Sequence, residues 1–347
     1  MSDQIAQRVR RRDTMADDDD DDPFDALMGI DAEEFKQLLD EAPASAAAGE
    51  KVFRGGVAVV DDGSISREEF RARFLVPRVP VVIRDAAFAP THLTPAYLRA
   101  TYGDVIVPLD VTAANRADAK LGDFLDALSS TSSSNAAAAD DDDDAERSRL
   151  KSRYLRNLQM HEWFPREAAK LRLPERLFGA NALADAALVP RCPDSWRRWH
   201  ELFVCGPECD GFPFLHRDTC GVAAASMQAH GAKRFTLFHP DDGARLYPRG
   251  GSGLRSEIPA RALAKPGGVC LETYPAFARA KRITVDVRAG ECLVVPPDWW
   301  HTARAVGDEV SVSVAASFVD VERADAFNDA YAEFEALRSL ASVGAAT

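Results

Sequence analysis

The chain has 347 residues, 46% of them hydrophobic, and a formal net charge of −13 at pH 7, enough apolar material for one large domain or two ordinary ones. Six aspartates at 17–22 and five at 140–144 hold eleven of the surplus negative charges and leave −2 for everything else. That near-neutral body excludes a general attraction for nucleic acid or an anionic membrane, and leaves nucleic acid only a local basic groove.

The first fifty residues combine an arginine cluster (Arg8, Arg10, Arg11, Arg12), the first aspartate run and EAPASAAAGE. They read as a largely disordered arm, with a short helix at Asp31–Glu41 and the arginines as a weak nuclear address. The fold is expected to begin near Lys51 and run to about residue 320. SREEFRARFL reads as a helix opened by a serine cap with glutamate three residues on, followed by a buried strand at Val81–Ile83. Next come a helix near Pro95–Thr101, a strand-like tract at Asp104–Val111 and a helix in LGDFLDAL. SSTSSSNAAAADDDDD, within about 129–146, reads as a flexible low-complexity insert.

From Trp199 onward the texture changes to short strands separated by Gly and Pro: HELFVCG, PFLHRD, VAAASMQ, KRFTLF, RITVDV, ECLVVP and EVSVSVAASF. Strands without intervening helices predict an antiparallel sandwich or barrel. Residues 321–347 close the chain with a helical stripe of Ala324, Phe327, Ala330, Tyr331, Phe334, Leu337 and Leu340, read first as core packing and, as the sharper alternative, as a homodimer interface. The leading residues lack the apolar core of a secretory signal, and no stretch is long enough for a membrane helix, so a soluble protein away from membranes is expected. Six cysteines without a CxxC pair fit reduced thiols in an intracellular compartment, nucleus or cytoplasm. Cys205 and Cys209 read as core, with a zinc site as the minor alternative.

In PFLHRD, strand alternation sends His216 and Asp218 to one face and Arg217 to the other. With His301 of PPDWWH as the third ligand, the set is two histidines and one carboxylate, the donors that suit iron(II) while leaving coordination positions open. His-x-Asp alone is a weak signal, and a lone histidine is more often an ordinary core or surface group. Here both histidines follow a strand and a Gly/Pro turn.

These segments resemble the JmjC family, in particular its small cupin-like hydroxylases. The resemblance rests on LHRD, HGAKRFTLFHP, RLYP, YPAF and GECLVVPPDWWH followed by SVSVAASF, over about Arg191–Val319, with ISREEF, PVVIRDA, YLRATYGD, LGDFLDAL and SRYL in order upstream. It implies an α+β, mainly β fold: a double-stranded β-helix, or cupin jelly-roll barrel, with N-terminal α/β elements and C-terminal helices. It also implies Fe(II) at His216, Asp218 and His301, with O2 and 2-oxoglutarate as cosubstrates. Lys233 would meet the far carboxylate of 2-oxoglutarate. Ser313 would supply a hydroxyl, since Val310, Val312 and Val314 alternate with Ser311 and Ser313, and Tyr154 would reach the same carboxylate.

Two positions depart from the family pattern. Pro213 stands where relatives carry Ser or Thr, and Ser226 where several carry Asn. Ser226 is kept as a cosubstrate candidate, with packing among alanines as the bland reading. Trp299 and Trp300 line the cleft or only its wall. His230 and His239 read as ordinary turn histidines, and Arg249 and Arg255 recognise substrate or stay solvated.

The activity implied is oxidative decarboxylation of 2-oxoglutarate to succinate and carbon dioxide, coupled to C–H hydroxylation, first of a protein or peptide side chain. The alternatives are N-methyl-lysine demethylation, tRNA-base hydroxylation, a catalytically silent cupin scaffold, and a cupin using another metal. Intact Lys233 favours a 2-oxo acid site over the last two.

Overall fold

The computed structural model describes residues 52–110, 116–129, 141–249 and 253–344. The helix read at Asp31–Glu41, and most of the arm and insert, lie outside those residues. Three sheets are built in chain order from β1 (Val52–Arg54), β2 (Val57–Asp61), β3 (Val81–Arg84), β4 (Ile106–Leu109), β5 (Ala117–Lys120), β6 (Tyr154–Gln159), β7 (His200–Cys205) and β8 (Phe214–His216). These are followed by β9 (Ala223–His230), β10 (Ala232–Phe238), β11 (Pro248–Arg249), β12 (Arg255–Pro259), β13 (Arg282–Arg288), β14 (Cys292–Val295), β15 (Trp300–Val306) and β16 (Ser311–Phe318).

The large sheet has the order β1-β2-β3-β14-β9-β16-β7-β6 and the smaller one β11-β12-β8-β15-β10-β13, with β4 and β5 as a separate pair. All neighbours are antiparallel except β2 and β3. Period-two burial shows how the sheets stack. On β14, Leu293 and Val295 join Phe235 and Leu237 of β10 and Val285 and Val287 of β13 between the sheets. Cys292 and Val294 face the other way, into the core formed with the N-terminal helices. This is the jelly roll expected from the sequence.

The N-terminal elements cover the outer face of the large sheet. Ser66 caps the helix Arg67–Phe70 by accepting from the Glu69 N–H at 3.1 Å, the capping pattern read in SREEF. Thr94 accepts from the Tyr97 N–H, also at 3.1 Å, to start Pro95–Tyr102, with proline in the first turn. Helix Leu121–Ser129 buries Leu121, Phe124, Leu125 and Leu128. Helix Asp141–Lys151 reaches back over the last aspartates of the insert, so that part is ordered, braced at its end by Glu146 and Arg149 at 2.7 Å.

Behind this layer a buried carboxylate ties several elements together. Glu167 accepts from Tyr97 Oη at 2.7 Å, Tyr102 Oη at 3.1 Å and Lys170 Nζ at 3.0 Å, and contacts His92 Nε2 at 2.8 Å.

The closing helix, Ala324–Gly344, packs Phe327, Ala330, Tyr331 and Phe334 against Leu183, Val189, Cys192 and Trp196. These members of the sequence stripe are therefore core, and the dimer reading draws nothing from them; the side chains of Leu337 and Leu340 lie outside the described set. Among the described residues no helix is long and apolar enough to cross a membrane.

Candidate metal centre and cavity

A cavity of about 380 Å³ opens between the two sheets. His216 ends β8 and stands directly across the ladder from His301 on β15. The ladder stops there, but Asp218 keeps extended backbone angles (φ −68°, ψ 151°) before the turn Thr219–Gly221. The alternation inferred from LHRD therefore persists one step beyond the strand, and Asp218 turns to the same side as His216.

Asp218 Oδ1 lies 3.8 Å from His216 Nε2 and 3.9 Å from His301 Nε2. Among the described residues these three form the group whose ligand atoms, all within 4.8 Å of one another, could hold a metal ion. His301 Nδ1 lies 3.0 Å from the Trp299 carbonyl. Donation there keeps the proton on Nδ1 and leaves the Nε2 lone pair facing Asp218. Phe212 stacks on His216 with centroids 4.6 Å apart. It is delivered by Gly211 at φ +93°, where a Cβ would come within 2.7 Å of the Ala303 carbonyl oxygen.

Burial, and then His301, hold the His216 imidazole well below its usual range. Burial pushes the Asp218 carboxyl up, with His301 opposing and Asp298 adding to the shift. Two imidazoles and a desolvated carboxylate converging on one point fit a divalent cation, whose charge would offset what burial costs the carboxylate.

At the other end, Lys233 of β10 is 2% exposed. It donates to Ser313 Oγ at 2.7 Å and lies 4.9 Å from the Phe203 ring centroid and 5.5 Å from that of Tyr154. Burial lowers its ammonium to about 8, while Cys205 and Cys209 favour the charge. Ser313 and Tyr154 are buried with it, so Lys233, Ser313 and Tyr154 form one group. Ser226 lines the cavity farther along β9, as does Ala315 on β16. Pro213 is exposed and outside the lining. Cys205 and Cys209 are buried in the cluster that contains Tyr154.

The chain matches the family of the cupin-like domain over residues 66–319. It belongs to that family, the JmjC-like cupins. It is 36% identical to an HSPB1-associated protein 1 homolog of Danio rerio over 121 residues, 35% of this chain and 25% of the relative. Identity is also 36% over 88 residues, a quarter of this chain, with Jumonji C domain-containing protein 5 of Drosophila melanogaster (20% of the relative) and tRNA wybutosine-synthesizing protein 5 of Mus musculus (25%). These alignments span a quarter of the relatives' length or less.

Several lining residues of this cupin escaped the sequence reading. Glu201 of β7 accepts from Gln159 Nε2 at 3.0 Å and Asn157 Nδ2 at 3.4 Å, and burial raises its carboxyl to about 7. Its signal was present in the alternation Glu201, Phe203, Cys205 within HELFVC. Arg156 lines the wall on β6. The tryptophans of the lining are Trp196 and Trp199. Trp299 and Trp300 sit in the packed clusters either side of the small sheet, and Trp299 Nε1 donates to the Arg78 carbonyl at 2.8 Å. His230 Nδ1 lies 2.9 Å from the Val310 carbonyl, and His239 accepts from the Asp241 N–H at 3.1 Å, so both serve turns.

Proposed function

We propose that this cupin is an Fe(II)- and 2-oxoglutarate-dependent oxygenase that hydroxylates a side chain of a protein or peptide. The observation that carries the reading is a single cavity with a two-histidine, one-carboxylate group at one end and a buried lysine, lacking any carboxylate partner among the described residues, at the other. His216, Asp218 and His301 would hold the iron. When bound, the iron and cosubstrate would supply the oxidising power for C–H hydroxylation, with 2-oxoglutarate leaving as succinate and carbon dioxide.

This chain's own residues do the positioning. Lys233 and Ser313 offer a charge-assisted donor and a hydroxyl to the far carboxylate, and Tyr154 and Phe203 keep that end dry, where such bonds are strongest. Trp299 fixes the tautomer of His301 through its carbonyl. A protein target is favoured over a nucleic acid by the near-neutral body and by the similarity to proteins named for association with HSPB1. Similarity to a tRNA wybutosine-synthesizing protein supports a modified tRNA base as the second reading.

Anaerobic titration of the protein with iron(II) and 2-oxoglutarate should produce the weak visible charge-transfer band of the chelate, and His216→Ala should abolish it. A wild-type protein without the band, or an unchanged band in the variant, would sink the proposal. Succinate release in air separates an active oxygenase from a silent scaffold.

A further inference from the structure

Among the described residues the iron and cosubstrate reading leaves one acid of the cavity wall unused, Glu201 of β7. It stands in register with Gln159 of β6 on one side and Ala315 of β16 on the other. Two residues along β7 in one direction is Phe203, paired with the Ser313 that Lys233 holds. Two residues in the other is Trp199, whose carbonyl accepts from the Ser317 N–H at 3.0 Å and whose ring centroid is 4.2 Å from that of Trp196. Strand alternation therefore sets Glu201 on the wall between the candidate cosubstrate end and a pair of indoles.

The fold surrounds this acid with neutral groups only. Gln159 Nε2 donates to one carboxyl oxygen at 3.0 Å and Asn157 Nδ2 to the other at 3.4 Å. Asn157 reaches it from the bulge of β6 at φ 54°, a left-handed backbone that asparagine tolerates better than most residues. The Trp199 indole also favours the ionised form, but its Nε1 is buried without a hydrogen-bond partner. A carboxylate offers about four lone-pair sites, so acceptor capacity remains on it, and Gln159 Oε1 beside it is buried and accepts nothing. Among the described residues no lysine or arginine is paired with Glu201. Glu167 shows the finished case: donors that include Lys170 bring it to about 2, whereas burial leaves Glu201 raised to about 7.

Open acceptors, an unpaired negative charge and aromatic faces together suit a donor-rich cation. An anionic ligand would be repelled, and an apolar one would leave the carboxylate desolvated. We infer that Glu201, Gln159 and Trp199 form a subsite for the cationic head of a substrate side chain, an ammonium or guanidinium carried by a peptide. That this subsite serves the reacting centre rests on the proposed function; the subsite itself rests on the acid, its two carboxamides and the indole. A peptide is favoured over nucleic acid because the wall carboxylate and the chain's net charge of −13 repel phosphate.

The test uses fluorescein-labelled degenerate short peptides, identical except for a central lysine, N-acetyl-lysine, arginine or citrulline, titrated by anisotropy into the full chain with and without Mn(II) and N-oxalylglycine. The lysine or the arginine set should bind about tenfold tighter than its neutral counterpart, and which one does so identifies the cation. The preference should survive about 0.5 M salt, because a contact inside the cavity is screened far less than attraction to the aspartate runs. Glu201→Gln should remove most of it and Glu201→Asp keep part of it, and Trp199→Leu should weaken the cationic peptide about fivefold. The iron-chelate band should saturate at 2-oxoglutarate concentrations within about twofold of wild type in all three.

Equal binding of charged and neutral peptides, or none, would overturn the subsite, as would a preference that Glu201→Gln retains or that the added salt abolishes. So would a large loss of 2-oxoglutarate affinity in Glu201→Gln, which would assign the residue to the cosubstrate, or labelled single-stranded RNA binding more tightly than the better peptide. Glu201→Gln should melt at about the wild-type temperature, and a large fall would make the acid a structural element instead. Because peptide binding is read without metal as well, a missing chelate band sinks the oxygenase reading alone, and absent discrimination with the band intact sinks the subsite alone.

Discussion

Glu167 and Lys233 are both charged side chains 2% exposed, and they are treated in opposite ways. Around Glu167 two tyrosine hydroxyls, a histidine and a lysine converge, so the carboxylate is satisfied by the fold itself. Lys233 has one serine oxygen and two aromatic faces, with no acid paired to it among the described residues. A completed network stabilises the native state, whereas an incomplete one stores an unmet demand that a ligand can satisfy. The contrast separates structural charge from functional charge without reference to position in the chain.

Substitutions at the two sites should pull stability and binding apart. The largest effect on folding is expected for Glu167→Ala, which takes the acceptor from the half-buried Tyr97 and Tyr102 hydroxyls while the exposed His92 and Lys170 turn to water, and should cost about 3 kcal/mol in denaturant unfolding. Retention of wild-type stability would break the comparison from that side. Next, Lys233→Met should weaken 2-oxoglutarate binding about 100-fold, close to 2.7 kcal/mol, as read from the iron-chelate band. Affinity within a few-fold of wild type would mean that the cavity's lysine is not the anchor.

The pH responses differ in sign. Burial lowers Lys233 to about 8 from its ordinary 10.5, so carrying the charge destabilises the free fold below pH 8, and that penalty lifts as pH rises from 8 to 10.5. On the proposed reading 2-oxoglutarate binds the protonated amine, so its dissociation constant should rise by up to about tenfold per pH unit above 8, a slope of roughly 1.4 kcal/mol per unit. A flat profile in isothermal titration would contradict this. For Glu167, burial alone would raise the carboxyl, but the bonds from His92, Tyr97, Lys170 and Tyr102 win and bring it from 4.5 to about 2. Its contribution is therefore present above pH 4.5 and lost as pH falls toward 2, and Glu167→Gln should flatten acid unfolding in that window. The smallest effect is that of Lys233→Met on the ligand-free fold, a change in stability from zero to a gain of about 1 kcal/mol.

Much of the cavity could be read from the chain because strand alternation is a local rule. His216 and Asp218, and the serine face of β16, follow from counting by two, and the structure adds that Gln228 Nε2 donates to Ser311 Oγ at 2.9 Å while Lys233 takes Ser313. Tyr154 was found only through resemblance across the insert. Beyond it the count fails: β6 carries a bulge between Leu155 and Leu158, with Asn157 at φ 54°. Arg156, Asn157 and Gln159 therefore reach the cavity in an order no period-two reading gives. The Glu167 network was invisible for another reason, since His92 and Tyr97 meet it across 75 and 70 residues. For the tryptophans, being next to a candidate ligand in sequence proved a poor guide: Trp299 and Trp300 immediately precede His301 yet face packed layers, and the cavity takes Trp196 and Trp199 from a turn far upstream.

The antiparallel ladder of β10 and β15 pairs Leu237 with His301 and Lys233 with Ala305. Four residues of one hydrogen-bonded strand, about 13 Å of backbone, therefore separate the level of the candidate iron ligand from that of the cation. A pleated ladder cannot stretch, so this spacing is a ruler laid along the cavity floor. On the proposed reading the acid spans what the His301 and Lys233 side chains leave of that distance, so oxaloacetate, one methylene shorter, should hold the two ends less well than 2-oxoglutarate, as competition for the chelate band would read.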